Sequence, residues 1–526
     1  MLHNNPIFIR FCRSNLRVKK AIFWYLLTTI TCAFTVAIIY VPQVVRDRDP
    51  MDAARAAILP MMIIQGIILL FMGTGSVATG ITREKVDNVL NYQRLTPLPI
   101  PQKILGYLFG LPVREYVLFG ITLPFMAFVL IVGKVSPTAF LPYYLILFTS
   151  TLLYHFTGMV AGMISKKWRW SARISQGLII LLYFALPQLS HLGLVFMEFL
   201  TVRPVFAENI LPVIGPSENI RMDEFGLLAG QDVPFFTLMI SGTLFSFMIQ
   251  SLLIILFATI IARKWKADSV PAINKPMAMI TFSAFAIMSL ANIWPNLTRS
   301  ENAIRIFQSD GTLPQAAAVA GLPLILALVT TLLAFVLMVS ALPDPQQFRL
   351  GRIRAKRQNL NQLPRWDDEA NGYTLTTLLF LVQTTLVGIA LFTVHRSGYF
   401  DGLNSHPFMG LILIGTTGLC LFYFQGLKES FGGGQLGLFA LLHWLVPILG
   451  AILITAISNG FNPAALFVAS LSPIILILLS VTQLIPSEEL NEHALTVQRA
   501  LGFGILLLTV LTLGLHAKLR RDRKDD

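Results

Sequence analysis

Apolar runs of 18 or more residues recur along nearly the whole chain, beginning with "AIFWYLLTTITCAFTVAIIYV" at 21–41. Each is long enough to cross a hydrocarbon core about 30 Å thick. A backbone in lipid must satisfy its own hydrogen bonds, so runs of this length read as membrane-spanning helices. The expected fold class is therefore an all-α polytopic membrane protein. Twelve spans are placed at 21–42, 57–80, 114–133, 138–164, 174–200, 235–262, 276–294, 315–341, 374–394, 408–425, 436–457 and 497–516. The longest polar intervals, 201–234 and 342–373, are too short for a soluble module of ordinary size.

Composition agrees: 55% of residues are hydrophobic and 13% charged, about half the charged share of a soluble domain. The formal net charge of +13 raises nucleic acid as a partner. Its distribution argues otherwise. With the N-terminus inside, alternate loops hold 29 Lys and Arg on that side against 9 on the other. This bias follows the positive-inside rule, so topology accounts for the charge, no nucleic-acid partner is expected, and both termini read as cytoplasmic. The first apolar run is too long for a signal-peptide core and reads as the first span. Three cysteines, Cys12, Cys32 and Cys420, imply no disulfide framework.

A thirteenth run, "NPAALFVASLSPIILILLSVTQLIP" at 462–486, would place the basic tail outside if it crossed. Interrupted at Ser472–Pro473, it is expected to be a re-entrant or interfacial hairpin on the outer face. The first half has an amphipathic, Pro-rich stretch at 201–232 in the same relative place. Two six-helix halves follow as the expected organisation, 1–270 and 271–526, each with an outer helical element before its last span.

Between the second and third spans lies "ITREKVDNVLNYQRLTPLPIPQKILGYLFG", 81–110. Apolar residues fall at Val86, Val89, Leu90 and Leu95, with Glu84, Lys85, Asp87, Asn88, Asn91 and Arg94 between them. The spacing predicts one amphipathic helix from Arg83 to Leu95. Thr96 precedes Pro97, and Pro99 and Pro101 follow, which ends the helix abruptly. Such a helix either lies on lipid headgroups or docks a partner, and amphipathicity alone favours the lipid.

The wording of this loop resembles the coupling-helix region of ABC-2 type (type V) ABC transporter permeases. Glu84 and Lys85 match the charged pair, Val89, Leu90 and Leu95 the apolar face, Thr96, Pro97 and Leu98 the terminator, and Gly106 the glycine of the next segment. Val86 and Asp87 stand where the family usually has Gly-Thr. The N-terminal "NNPIFIRFCRSNLRVKK" is similar to the family's opening, with Asn5, Pro6 and a stripe of Arg10, Arg13 and Arg17. The stripe also serves as a positive-inside anchor.

The resemblance implies a permease subunit of an exporter in a bacterial inner (cytoplasmic) membrane, energised by a separate ABC ATPase subunit in two copies. ATP would bind that partner, with no cofactor on this chain. Glu84, Lys85, Val89, Leu90, Arg94, Leu95, Thr96 and Pro97 would form the ATPase-coupling element, supported by Arg10, Arg13 and Arg17. Leu90→Asp or Leu95→Asp would then abolish transport and leave insertion intact. The cargo class implied is a small molecule or lipid-like compound.

No Walker A sequence occurs, and the glycines of "GTGSVATG" at 73–80 lie in a span, where small residues permit close packing. "GGG" at 432–434 reads as a flexible loop. No zinc or nucleophilic site is apparent. Ionisable or amide groups within spans are few: His155, His191, Glu198, His443, Gln65, Gln250 and Gln383, with Glu198 expected near the outer boundary and hydrated. This scarcity weighs against the runner-up reading, an ion-coupled secondary transporter. A scaffold or a lipid-acting membrane enzyme is the third class.

Overall fold

The computed structural model describes residues 2–165, 167–185, 190, 195–214, 232–267, 270–298, 315–360, 363–396, 409–458, 460, 462–482 and 493–525. Eleven helices among them are long and apolar enough to cross a membrane. The protein is an all-α polytopic membrane protein; its strand content among the described residues is a hairpin of Val233–Phe235 with Leu238–Ile240. Two compact units divide the chain. One comprises Met1–Val233 with Met239–Ser269, the other Pro234–Leu238 with Val270–Asp526.

The first unit begins with α1 (Pro6–Asn15) and the first span, α2 (Val18–Val45). The second crossing is assembled from α3 (Pro50–Ala56), α4 (Ile58–Gly66), a π-helical turn at Ile67–Gly73 and α5 (Thr74–Val86). Two short helices, α6 (Val89–Leu95) and α7 (Ile100–Gly110), lead to the spans α8 (Val113–Val132) and α9 (Pro137–Ile164). Next come α10 (Trp168–Phe184), a 3-10 turn at Val195–Leu200, the short α11 (Arg203–Asn209) and α12 (Leu211–Ile214), and the final span α13 (Gly242–Lys266).

Helices α5, α9, α10 and α13 form the unit's centre. Their approach is close because glycines face backbone. A Cβ at Gly158 would lie 2.9 Å from the Thr74 carbonyl oxygen, and one at Gly162 2.8 Å from that of Ala78. The glycine-rich stretch on α5 is shaped by the same packing: a Cβ at Gly73 would come 2.5 Å from His155 Nε2. Without a hydrophobic drive between helices in lipid, such packing and interhelical hydrogen bonds hold spans together. Gln250 on α13 accepts from Thr149 at 2.8 Å and Ser150 at 3.1 Å, and donates to the Phe199 carbonyl at 3.1 Å. Gln65 donates to Thr122 at 3.0 Å and accepts from Tyr144 at 3.1 Å.

The second unit contains the spans α14 (Lys275–Thr298) and α15 (Gln315–Ala341), the surface helix α16 (Pro345–Arg357), and the span α17 (Tyr373–Arg396). Helix α18 (Met409–Ala440) follows and is broken at Gly432. A π-turn at Leu441–Leu445, α19 (Val446–Ser458), the short α20 (Pro463–Ala469) and α21 (Pro473–Val481), and α22 (Ala494–Asp525) complete it. Here Gln383 donates to Thr330 at 3.0 Å and Thr331 at 2.7 Å, joining α17 to α15.

Four expectations need correction. The span at 174–200 is instead a helix ending at Phe184, with a 3-10 turn at Val195–Leu200. Glu198 in that turn is fully buried and not at the open outer boundary expected for it. The glycines at 432–434 do not make a loop. Helix runs to Gly432, whose φ of +68° breaks the axis between the spans Gly410–Gly432 and Gln435–Ser458. Lys428 and Glu429, read from sequence as loop residues, are therefore buried at a helix end.

The run at 462–486 is broken where Ser472–Pro473 predicts. Asn462 caps α20, accepting from the Ala464 amide at 2.9 Å, and Pro473 opens α21. Seven and nine helical residues span about 10 and 14 Å at about 1.5 Å per residue. Neither helix alone reaches across a membrane. Residues 215–231 and 483–492 of the two outer elements, and His191, lie outside the described residues.

Gly162→Leu is expected to force α5 and α9 apart and to lower stability by about 1–3 kcal/mol. Thermal unfolding of the purified protein in detergent checks it.

Candidate functional site

The residues between the second and third spans do not form the single helix expected from Arg83 to Leu95. Helix α5 carries on from the membrane as far as Val86, and Asn88 then takes a left-handed conformation at φ 59°. Asn tolerates that region because its short polar side chain bonds locally. The chain restarts as α6 and stops where proline demands: Thr96 is extended (φ −72°, ψ 144°) ahead of Pro97, and its hydroxyl donates to the Gln93 carbonyl at 2.7 Å.

Three cations fasten this short helix and its neighbours. Arg94 donates from Nε to the Trp265 carbonyl at 3.1 Å and from Nη2 to the Lys264 carbonyl at 3.0 Å. Both carbonyls lie in the last turn of α13. Lys85 donates to the Met163 carbonyl at the end of α9. Lys103, buried in α7, donates to the carbonyls of Gln93 at 2.6 Å and Thr96 at 3.0 Å, closing the end of α6 itself. Each places positive charge where a helix ends in unpaired carbonyls and a negative dipole.

The apolar face divides. Leu90 is 7% exposed and packs in a core with Tyr107, Met163 and Trp265. Val89 is half-buried. Val86 at 55%, Tyr92 at 70% and Leu95 at 84% stay exposed. Leu90→Asp would therefore bury a carboxylate in the unit's own core, and cannot spare the fold as the sequence reading expects.

Helix α1 lies on α7. Asn5 caps it, accepting from Ile7 N at 3.0 Å, and its Nδ2 donates to the Gln102 carbonyl at 2.7 Å. Gly106 permits this approach, since a Cβ there would sit 2.8 Å from Asn5 Oδ1. Arg10 pairs with Glu84 at 2.6 Å, and Tyr107 donates to the other Glu84 oxygen at 2.6 Å. Burial opposes the Arg10 charge, but the bond and charge of Glu84 outweigh it and raise the guanidinium's pKa. Burial foremost, then the charge and bond of Glu84, push the Tyr107 hydroxyl well above its ordinary value. It remains a protonated donor. Arg13 is exposed on α1, whereas Arg17 is the cap residue of α2, so the expected stripe of three does not run along one helix.

The second unit places α16 between its second and third spans. Around it, Lys428 pairs with Asp344 at 2.5 Å, and Glu429 accepts from the Gly372 amide at 2.6 Å. Fully buried Lys275 donates to the carbonyls of Asp367 and Ala370, each at 2.7 Å, and of Asn371 at 3.1 Å.

Among the described residues no cluster of His, Cys, Asp or Glu could hold a metal ion. His155 bonds to Tyr116 at 3.1 Å and to the Leu69 carbonyl at 3.2 Å, and His443 to Tyr423. All three cysteines are free thiols.

Set against family models, curated proteins and solved structures, the chain matches none.

Sequence reasoning missed Lys103, Tyr107 and Trp265, which hold α6 and its neighbours in place. One signal was present: a lone lysine in the apolar "IPQKILGYLFG", directly after a proline-terminated helix with open carbonyls.

Lys103→Met should remove the charged donor that the Gln93 and Thr96 carbonyls share and loosen 89–96, with amide exchange there faster by about tenfold for a bond worth about 1.4 kcal/mol; hydrogen exchange read by mass spectrometry checks it. Tyr107 makes a second prediction. Its folded pKa lies above the unfolded value of about 10, so stability is intact below that pH and falls above it, by at most about 1.4 kcal/mol per pH unit. Tyr107→Phe should flatten this part of the decline in melting temperature between about pH 10 and 12.

Proposed function

We propose that the chain is the permease subunit of an ABC-2 type exporter in a bacterial inner membrane. Its termini lie in the cytoplasm, and a separate ATPase subunit, two copies per chain, docks against the loop between the second and third spans. The observation that carries the reading is a short helix with an exposed apolar tip, Tyr92 and Leu95, bound through Arg94 to the end of α13, while Lys85 at the end of α5 binds the end of α9. A load applied at that tip reaches α13 through charged hydrogen bonds and α5 directly through the chain, and Lys85 links α5 to α9. Packed elements of this kind move as bodies and do not deform gradually. Of the motif residues, Arg94, Thr96 and Pro97 fasten or end the tip's helix, and Glu84 and Lys85 fasten the end of α5 that leads into it.

The positive-inside bias supports the orientation. Against an ion-coupled carrier stands the chemistry of the described spans, where buried Gln65, Gln250 and Gln383 bond to hydroxyls of neighbouring helices and serve to join them. Such an interior fits a lipid-like or small amphipathic cargo.

The test is a detergent pull-down of the tagged chain from its native membrane, wild type beside Tyr92→Asp plus Leu95→Asp. Both side chains are exposed, so the double variant should insert and fold normally. A Walker-motif ATPase should accompany the wild type and fall by about tenfold or more with the variant, since two apolar anchors are lost. Absence of an ATPase from intact wild type, or equal recovery with both, overturns the assignment.

A further inference from the structure

Glu115 sits in the first turn of α8 and is 1% exposed. Its Oε1 accepts from Ser76 at 2.7 Å and from Arg114 Nη2 at 2.5 Å. Its Oε2 has no hydrogen-bond partner among the described residues, and neither does Arg114 Nε beside it. Buried polar groups in folded proteins are met almost without exception, and an ionised oxygen left unmet is costly. Two adjacent orphans of opposite kind, one acceptor and one donor, point to an occupant that supplies both.

The space for one is there. Glu115 and Arg114 line a cleft of about 740 Å³ within the first unit, together with Ser76, Thr79, Arg83 and Gln176. That volume lies in the range of small-molecule sites. Two features set its depth. Arg114 stacks over Trp24 at 5.1 Å, and Arg83 over Trp168 at 4.5 Å. Tryptophans and arginines together mark the level of lipid headgroups.

We propose that this cleft binds a zwitterion with an ammonium N–H and a phosphate, the chemistry of an ethanolamine phosphate headgroup. The ammonium donates to Glu115, and the phosphate accepts from Arg114 and Arg83. A quaternary ammonium has no N–H to give Glu115 and is discriminated against; a headgroup without a cation leaves Glu115 Oε2 without a donor. The site is independent of any ATPase, which takes no part in its test.

The purified full-length chain in detergent is offered phosphatidylethanolamine, phosphatidylcholine and phosphatidylglycerol, and retained lipid is read by native mass spectrometry. Phosphatidylethanolamine should be retained about tenfold over the other two. Glu115→Gln should bring the three close to parity, and Arg13→Gln, outside the cleft, should leave the preference intact. Free glycerophosphoethanolamine then separates the sources. If it competes, the headgroup chemistry alone suffices and a soluble zwitterion can fill the site; if it does not, acyl chains are needed and the ligand is the lipid. Equal retention of all three by the wild type, or a preference unchanged in Glu115→Gln, overturns the proposal. Should Glu115→Gln fail to fold, Arg83→Gln decides, because Arg83 is exposed: undiminished retention of phosphatidylethanolamine refutes the site.

Discussion

A carbonyl oxygen at the end of a helix has to be met by a donor, and at the edge of a membrane protein's dry interior water does not always reach it. Much of the described architecture near the span ends follows from how this protein meets that demand. Arg94 covers the end of α13, Lys85 the end of α9 and Lys103 the end of α6. In the second unit Lys275 does the same for a turn at 365–371. Each cation also ties its own element to the one it caps, so satisfying the backbone and fixing the tertiary arrangement are one act.

Inside the spans the problem is different, since a helix pairs most of its own backbone groups and lipid gives little reason for helices to associate. Association here relies on shape and on amides. Gly158 and Gly162 let α9 approach the backbone of α5, and Gln65, Gln250 and Gln383 bond across to hydroxyls on neighbouring helices. Glu115, paired with Arg114 through Oε1, keeps an unmet Oε2 that the proposed zwitterion would explain.

The loop at 81–110 shows how far periodicity carries. The terminator at Thr96–Pro97 could be read directly because proline acts through its own covalent geometry and that of its neighbour. The break at Asp87–Asn88 could not, since both residues are compatible with a polar helix face and the left-handed turn at Asn88 is a choice made where α5 leaves the bundle. Leu90 and Leu95 looked alike as apolar positions. Which of them is buried depends on Met163 and Trp265, which come from distant parts of the chain.

Hydropathy along the sequence determined that the protein is a bundle of membrane helices, because the length of an apolar run and the thickness of a bilayer are both local quantities. It also marked the interruption at Ser472–Pro473, again through proline. Tertiary structure alone decided where the fifth span's helix ends, that Lys428 and Glu429 are buried, that Arg17 leaves the line of Arg10 and Arg13, and that Arg94 and Lys103 are fasteners. Each of these depends on which distant carbonyl or side chain arrives beside the residue, and no spacing within a single segment encodes that meeting.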